Sequence, residues 1–174
     1  MRRPLLFIAA LVVTPILASA QAPSNPGVAG TKMVWANMSN YVVRTAEQLS
    51  EADYSYRPVA TVRSFGEMLG HVAGAQNMFC AVALGETPKS EDDIEKTVTT
   101  KAGLVAALKA SNEYCARAYG MSDANAAVMT KIFGMDMSKM GVLSFNAAHV
   151  AEHYGNLVTY MRMKGMVPPS SQGQ

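Results

Sequence analysis

The sequence predicts an all-α protein built as a four-helix bundle. Apolar residues recur at intervals of three and four in four separate stretches, and capping residues or helix breakers stand at the ends of these stretches. No stretch shows the apolar–polar alternation that is typical of a strand, and there is no internal repeat. Without strands, the chain also has no place for a glycine-rich phosphate loop.

The first predicted helix covers roughly 20 residues from about residue 31 onwards. Its apolar residues at helical spacing are Met33, Val34, Trp35, Met38, Tyr41, Val42, Ala46 and Leu49. Residues 50–63 follow, with Pro58 and no helical period, so we expect an ordered loop there.

The second predicted helix has clear signals at both ends. Ser64 and Glu67 have the spacing of a capping box, in which each side chain satisfies a backbone amide of the other residue. Apolar residues then occur almost all round the helix, which indicates packing against more than one neighbour. Gly85 is expected to end it.

Two further helices complete the predicted bundle. The third begins at about Lys101, and the fourth begins at Ser138 and ends before Gly165 and the Pro168–Pro169 pair. Between them, residues 120–137 contain helix breakers around a short apolar piece and give no clear pattern.

The N-terminus has the pattern of an export signal. Met1–Arg3 is a short basic start, residues 5–17 are mainly apolar, and Ala18–Ala20 is a small-residue cleavage site. We therefore divide the chain into a signal sequence (residues 1–20), a flexible lead-in (residues 21–30) and a helical domain (residues 31–170). The expected location is outside the cytoplasm, periplasmic or secreted, with no stable membrane anchor after cleavage.

Charge argues against nucleic acid as a partner. The formal net charge is +2, and removing the two arginines of the signal leaves 15 − 2 = 13 basic against 13 acidic residues. A neutral domain without runs of basic residues is not expected to have the positively charged surface that binds nucleic acid. The one charged cluster, Lys89–Lys96, carries both signs and lacks the central glycine of a calcium loop, so we interpret it as a solvated loop.

The two cysteines, Cys80 and Cys115, favour a disulfide in an exported chain. They lie 15 and 14 residues after the predicted helix starts at Phe65 and Lys101, so they reach the same height only if these helices are parallel. A disulfide and an up-down-down-up bundle therefore support each other. A thiolate metal site with His71 is disfavoured, because Cys80 lies nine residues further along on the opposite side of the helix.

The three histidines of the chain are candidate metal ligands. His149 and His153 are four residues apart on the fourth predicted helix, so their rings face the same way, at about 40° to each other around the axis. This spacing is typical of two imidazoles that hold one divalent ion. His71 lies on the second helix, and the alternative is that all three are unrelated core or surface residues.

Several segments together resemble the DinB family: residues 49–58, Arg63–His71, His149–Gly155 and Tyr160–Gly165 followed by Pro168. The likeness spans about residues 30–170, and its most specific part is one histidine early in helix two with His-x-x-x-His in helix four. The resemblance implies an up-down-down-up bundle with a divalent metal ion, zinc or nickel, on His71, His149 and His153.

Characterised relatives in this family include transferases and isomerases in which the metal activates a small thiol. Those thiols are cytoplasmic, whereas this chain begins with a predicted export signal, and this difference weakens the case for thiol transfer. We therefore consider a metal-dependent hydrolase or thiol transferase acting on an unknown small molecule. This function predicts a cleft that reaches the metal, with either Tyr154 or residues of the 50–63 loop at its mouth. The alternative is a non-catalytic metal-binding or structural bundle, and a homodimer is open in either case.

Three other chemical roles have less support in the sequence than the three-histidine metal site. Glu152 lies at the border of the histidine face, where it could orient a ring or act as a proton acceptor. We favour the third interpretation, that it contacts solvent or a neighbouring helix. His149 to His153 also matches an inverted zinc-protease motif, but no acidic residue or histidine follows that could complete it. Met135, Met137 and Met140 have a spacing compatible with Cu(I), although methionine is also a common core filler.

Overall fold

The computed structural model describes residues 24–173, so the predicted signal sequence lies outside the described residues. The elements in chain order are α1 (Pro26–Gln48), a 3₁₀ turn (Glu51–Ser55), α2 (Phe65–Leu84), α3 (Asp93–Thr97), α4 (Lys101–Ala118), α5 (Asp123–Ala126), β1 (Met129–Ile132), β2 (Met135–Ser138), α6 (Lys139–Met163) and a second 3₁₀ turn (Pro169–Ser171). The four long helices, α1, α2, α4 and α6, form the bundle. None of the described helices has the length and apolar character needed to cross a membrane.

Helices α2 and α4 run parallel. Near their starts, a Cβ on Gly70 would lie 3.3 Å from the Leu104 side chain. Near their ends, Cys80 and Cys115 form a disulfide with their Cα atoms 5.3 Å apart. The predicted disulfide is therefore present, and it joins the two helices that the sequence predicted to be parallel.

Helices α1 and α6 also run parallel to each other. The Thr31 hydroxyl, in the second turn of α1, donates to the Met140 sulfur at 3.6 Å, in the first turn of α6. Further along both helices, the rings of Tyr41 and Tyr154 stack with their centroids 5.1 Å apart. The beginnings of these two helices thus lie at the same end of the bundle.

Helices α2 and α6 run in opposite directions. Phe65 at the start of α2 packs on Tyr160 near the end of α6, with ring centroids 5.4 Å apart. Phe79 near the end of α2 packs on Phe145 near the start of α6, at 5.3 Å. The topology is therefore up-down-down-up, as predicted, and residues between these two contacts on each helix face one another across the core.

The predicted helix ends are confirmed for α2 and α6. Ser64 and Glu67 form the capping box, with the Ser64 amide donating to the Glu67 carboxylate at 2.7 Å. Gly85 ends α2 with a φ of 79°, a left-handed conformation that suits glycine. The Ser138 hydroxyl accepts from the Gly141 amide at 3.0 Å and so caps α6.

Helix α1 begins earlier than the sequence suggested. Residues 26–30, which we assigned to the lead-in, are helical. Pro26 suits the first helical position, where its missing amide hydrogen is not needed. The Asp123 carboxylate also accepts from the amides of Gly27 and Val28, at 3.0 and 2.8 Å. This cap comes from a residue almost 100 positions away in sequence, and it stabilises the first turn.

The expectation that the chain has no strands is wrong for residues 129–138. Strands β1 and β2 pair antiparallel and are joined by a two-residue turn at Phe133 and Gly134, with φ values of 50° and 76°. Positive φ at both turn positions is typical of tight hairpins, but phenylalanine is an unusual residue there. Each strand has only four residues and lies largely at the surface, so neither produces a clear alternation.

The interpretation of residues 89–96 as a solvated loop is only partly correct. The segment contains the start of α3 and lies against α2. A Cβ on Gly74 would clash with the Glu91 carbonyl oxygen, and one on Gly70 would lie 2.8 Å from the Glu95 Cα. These two glycines, one turn apart, let the segment approach closely, and its Glu95 side chain is only 17% exposed.

Candidate metal centre

The structure brings the three histidines together between α2 and α6. The Nε2 atom of His149 lies 3.2 Å from Nε2 of His71 and 3.0 Å from Nε2 of His153. The antiparallel packing of α2 and α6 places His71 opposite the His149–His153 pair. The rings are tilted or perpendicular to one another rather than stacked, and their centroids lie 4.3 to 5.0 Å apart.

This geometry fits a divalent ion. Zinc–nitrogen bonds of about 2.0–2.1 Å at tetrahedral angles place the nitrogens about 3.3 Å apart, close to the observed separations. The donor atoms of the three residues all lie within 4.8 Å of one another. Among the described residues, no fourth histidine, cysteine or carboxylate joins this donor set. The three rings could therefore hold an ion and leave one coordination position open.

The three rings are largely removed from water, and this keeps them neutral at pH 7. Burial, with the positive charge of Arg63 second, lowers the pKa of His71 to about 4. Burial together with the two neighbouring rings lowers the pKa of His149 to about 3, and burial also lowers the pKa of His153. A neutral imidazole has a free lone pair, which is the form that binds a metal ion.

The outer nitrogen of one ring, Nδ1 of His71, lies near a residue that the sequence did not single out. The Nδ1 atoms of His71, His149 and His153 are buried without a hydrogen-bond partner in the described part of the chain. The Glu95 carboxylate lies 3.6 Å from Nδ1 of His71, just beyond hydrogen-bonding distance. A carboxylate in this position is the usual partner of a metal-binding histidine. Glu95 also receives the Arg63 side chain, at 3.0 and 3.1 Å.

Glu152 and the methionines lie away from this arrangement. Glu152 is exposed, in agreement with the interpretation that it contacts solvent. Met135 is 50% exposed, whereas Met137 covers Gly141 and Met140 packs beside Gly27. The three sulfur-bearing side chains thus have different neighbours, and their contacts give no indication of a shared copper ion.

A cleft of about 640 Å³ reaches His153 from the surface. Its lining residues are Arg57, Ala60, Thr61, Val62, Arg63, Glu67, Met68, Glu95, His153, Asn156 and Tyr160. Of the two alternatives for the mouth of the cleft, the structure supports the loop, since its residues 57 and 60–63 line the cleft. The alternative position, Tyr154, is away from the cleft: this residue is buried on Tyr41 and accepts a hydrogen bond from the Ser170 amide at 2.9 Å.

Aromatic rings border the centre on the side of His149. Phe79 lies against His149, with ring centroids 5.6 Å apart, and also contacts Phe145 and Phe133. Phe133 stands at the tip of the hairpin, so the hairpin supplies part of this apolar wall. An apolar wall on one side and a polar cleft on the other favour approach to the rings from the side of His153.

The fold and the three rings define a class of protein, a four-helix bundle with a buried histidine site able to hold a metal ion. The sequence pattern of the DinB superfamily matches residues 35–157, which is most of the chain. The chain therefore belongs to the DinB superfamily.

Solved structures of other proteins share this fold. A DinB-like protein from Bacillus cereus superposes with a TM-score of 0.69 at 16% sequence identity, covering 81% of this chain and 95% of that protein. A putative DinB family member from Exiguobacterium sibiricum gives a TM-score of 0.65 at 20% identity, with 82% and 95% covered. At these identities the likeness shows the fold.

One similar structure belongs to a named enzyme. A mycothiol-dependent maleylpyruvate isomerase has a TM-score of 0.59 at 12% identity, with 77% of this chain and 65% of the isomerase covered. This chain thus spans about two thirds of the length of that enzyme. A comparison with curated proteins finds no match for this chain.

Proposed function

We propose that this protein is an exported, metal-dependent enzyme that hydrolyses a small molecule. His71, His149 and His153 would hold one divalent ion, zinc or nickel, and the cleft beside His153 would admit the substrate. The observation that carries the proposal is the convergence of the three Nε2 atoms, at 3.0 and 3.2 Å, next to that cleft.

The donor set supports the choice of metal. Three neutral imidazoles without a thiolate or carboxylate are suited to zinc or nickel rather than to magnesium or calcium, which prefer oxygen ligands. Three protein ligands with an open fourth position are typical of catalytic zinc sites, whereas structural sites usually have four protein ligands. When bound, such an ion lowers the pKa of a water molecule or thiol and stabilises developing negative charge.

The residues around the ion would provide the remaining functions. The buried histidines fix the position of the ion, and Glu95, 3.6 Å from Nδ1 of His71, would orient that ring. Phe79 and Phe145 would provide an apolar wall beside His149. Asn156 and Tyr160 line the cleft within the same helix as His153 and would help to orient a substrate.

The choice of hydrolysis over thiol transfer depends on location. The Cys80–Cys115 disulfide supports an oxidising compartment, because structural disulfides are rare in the cytoplasm. Outside the cytoplasm, where the small thiols used by cytoplasmic relatives are not expected, water is the abundant nucleophile. The mycothiol dependence of the isomerase that shares this fold makes thiol transfer the reaction to test beside hydrolysis.

The decisive experiment asks whether the bound ion has an open position. Protein loaded with Co²⁺ has a visible spectrum that changes when a ligand joins the ion. Added imidazole is expected to change this spectrum, because no protein group would fill the fourth position. A bound ion whose spectrum does not respond to imidazole would overturn the proposal and favour a non-catalytic, structural ion.

Turnover provides the second half of the test. Zinc- or nickel-loaded protein is expected to hydrolyse members of a panel of small esters, lactones and amides, and His149→Ala is expected to abolish that activity. Glu152→Gln is the matched control, because this exposed carboxylate is on the same turn but outside the site. Turnover that requires an added small thiol, and none without it, would replace hydrolysis with thiol transfer.

A further inference from the structure

Arg63 is the best placed of the cleft residues to contact a substrate. Its Nε atom is shared between the two oxygens of Glu95, at 3.0 and 3.1 Å. Neither of its terminal nitrogens, Nη1 and Nη2, has a hydrogen-bond partner among residues 24–173, and the side chain is 37% exposed along the cleft. The guanidinium is therefore held by one edge and has a second edge available.

The position of this charge relative to the histidines is also informative. The positive charge of Arg63 contributes to lowering the pKa of all three rings, so it lies near the whole set. The Tyr160 hydroxyl donates to the Arg63 carbonyl oxygen at 3.1 Å and fixes the backbone at this point. Arg63 thus lies at the edge of the cleft beside the centre, on a backbone tied to α6.

Arg57 lines the same cleft but is already engaged. Its Nη2 atom donates to both oxygens of Glu67 at 2.9 Å, and its Nη1 atom donates to the Val62 carbonyl at 3.2 Å. The charges of Arg57 and Arg63 are each balanced by one glutamate. A divalent ion on three neutral imidazoles would therefore leave the centre with an uncompensated positive charge.

We propose that the cleft binds a substrate through a carboxylate group that pairs with the free edge of Arg63 beside the ion. A planar guanidinium edge matches the two oxygens of a carboxylate, and the excess positive charge at the centre would favour an anion. This inference rests on the proposed function, since it names the class of molecule that the same site accepts. Arg63 is a binding residue in this account, and Glu95 holds it in position.

The test measures binding of acetate to Co²⁺-loaded protein at constant ionic strength and pH 8, with the visible spectrum as the readout. Arg63→Gln is expected to weaken acetate binding by about 10- to 100-fold, as for loss of a charge-assisted hydrogen bond. Arg63→Lys should give an intermediate loss, because it keeps the charge but not the planar edge. Imidazole, neutral at this pH, should bind all variants within about two-fold of one another, since it needs no guanidinium.

Two controls separate the contribution of Arg63 from other causes. The double variant Arg57→Gln/Glu67→Gln removes the other ion pair of the same cleft without exposing a carboxylate, and it should leave acetate binding within about two-fold. The double variant Arg63→Gln/Glu95→Gln should bind acetate as weakly as Arg63→Gln. Recovery of binding in the double variant would show that the loss came from the exposed Glu95 charge, and the inference would be wrong.

The outcomes distinguish this inference from the proposed function. If imidazole changes the spectrum but acetate binds equally to the wild type and Arg63→Gln, only the carboxylate inference is overturned. An equal loss in Arg57→Gln/Glu67→Gln would also overturn it, because the effect would then not be specific to Arg63. If imidazole has no effect even on the wild type, the open position is absent and the proposed function itself fails.

Discussion

Removal of the Cys80–Cys115 disulfide should destabilise the bundle by an amount that the structure allows us to calculate. The bond joins residues separated by 35 positions and so links two parallel helices across their connection. Closing a loop of this length in the unfolded chain accounts for about 4 kcal/mol at 25 °C in the chain-entropy treatment. The double variant Cys80→Ala/Cys115→Ala should therefore lose about 4 kcal/mol of its free energy of unfolding. Alanine is chosen because both cysteines are fully buried, and a serine hydroxyl at these positions would be cut off from hydrogen bonds with water.

The assay is equilibrium unfolding in urea, followed by circular dichroism. With a denaturant slope of about 2 kcal/mol per molar for a domain of this size, the midpoint should fall by about 2 M. Wild-type protein kept reduced should unfold near the double variant, and mass spectrometry of the oxidised wild type should find no free thiol. A midpoint difference below about 0.5 M, with the bond intact in the wild type, would refute the loop-closure reasoning.

Three further predictions concern stability. Asp53→Asn should lower the free energy of unfolding by at most about 2 kcal/mol at pH 7, because the Lys164 ammonium and Ser50 lower the pKa of Asp53 to about 2. Unfolding experiments at several pH values should show that the difference from wild type shrinks as the pH falls below about 4. Gly74→Ala should destabilise the protein by about 1–3 kcal/mol, since its Cβ would meet the Glu91 carbonyl, and a thermal midpoint equal to that of wild type would contradict this. Asp123→Ala should lower the free energy of unfolding by about 1 kcal/mol and speed amide hydrogen exchange in the first turn of α1. Unchanged exchange there would show that the Asp123 carboxylate does not cap this helix.

The sequence predicted the features that depend on neighbouring residues. The capping box of Ser64 and Glu67 is complete within four residues, so the start of α2 could be located without tertiary information. The periodic apolar stretches located the four long helices for the same reason. Parallel pairing of α2 and α4 followed from two cysteine positions, because a disulfide fixes the relative heights of two helices.

Features that depend on distant contacts were missed. The start of α1 depends on Asp123, and the turn of the hairpin places Phe133 at a positive φ that no local pattern indicates. Tyr154 lies on the same helix as the histidines but turns toward Tyr41, because α1 packs on that face. Helical spacing gives the face of a residue but not the neighbour that covers it.

The candidate centre was only partly predictable. His149 and His153 share a helix face by spacing, but spacing alone could not place His71 opposite them, and the family resemblance supplied that assignment. Glu95 lies in a charged segment that looked solvated. Its approach to His71 depends on the glycines at 70 and 74, which let the segment lie against α2. Paired glycines on a buried helix are the signal that could have indicated this contact.

The metal content of the purified protein tests the assignment of the metal site most directly. Elemental analysis by mass spectrometry should find about one divalent ion, zinc or nickel, per chain in the wild type and in Glu152→Gln. The His149→Ala/His153→Ala variant should retain less than about one tenth of that amount, because a single imidazole would remain. Equal metal content in the wild type and the double histidine variant, with both proteins folded, would contradict the assignment of the three converging rings as the metal site.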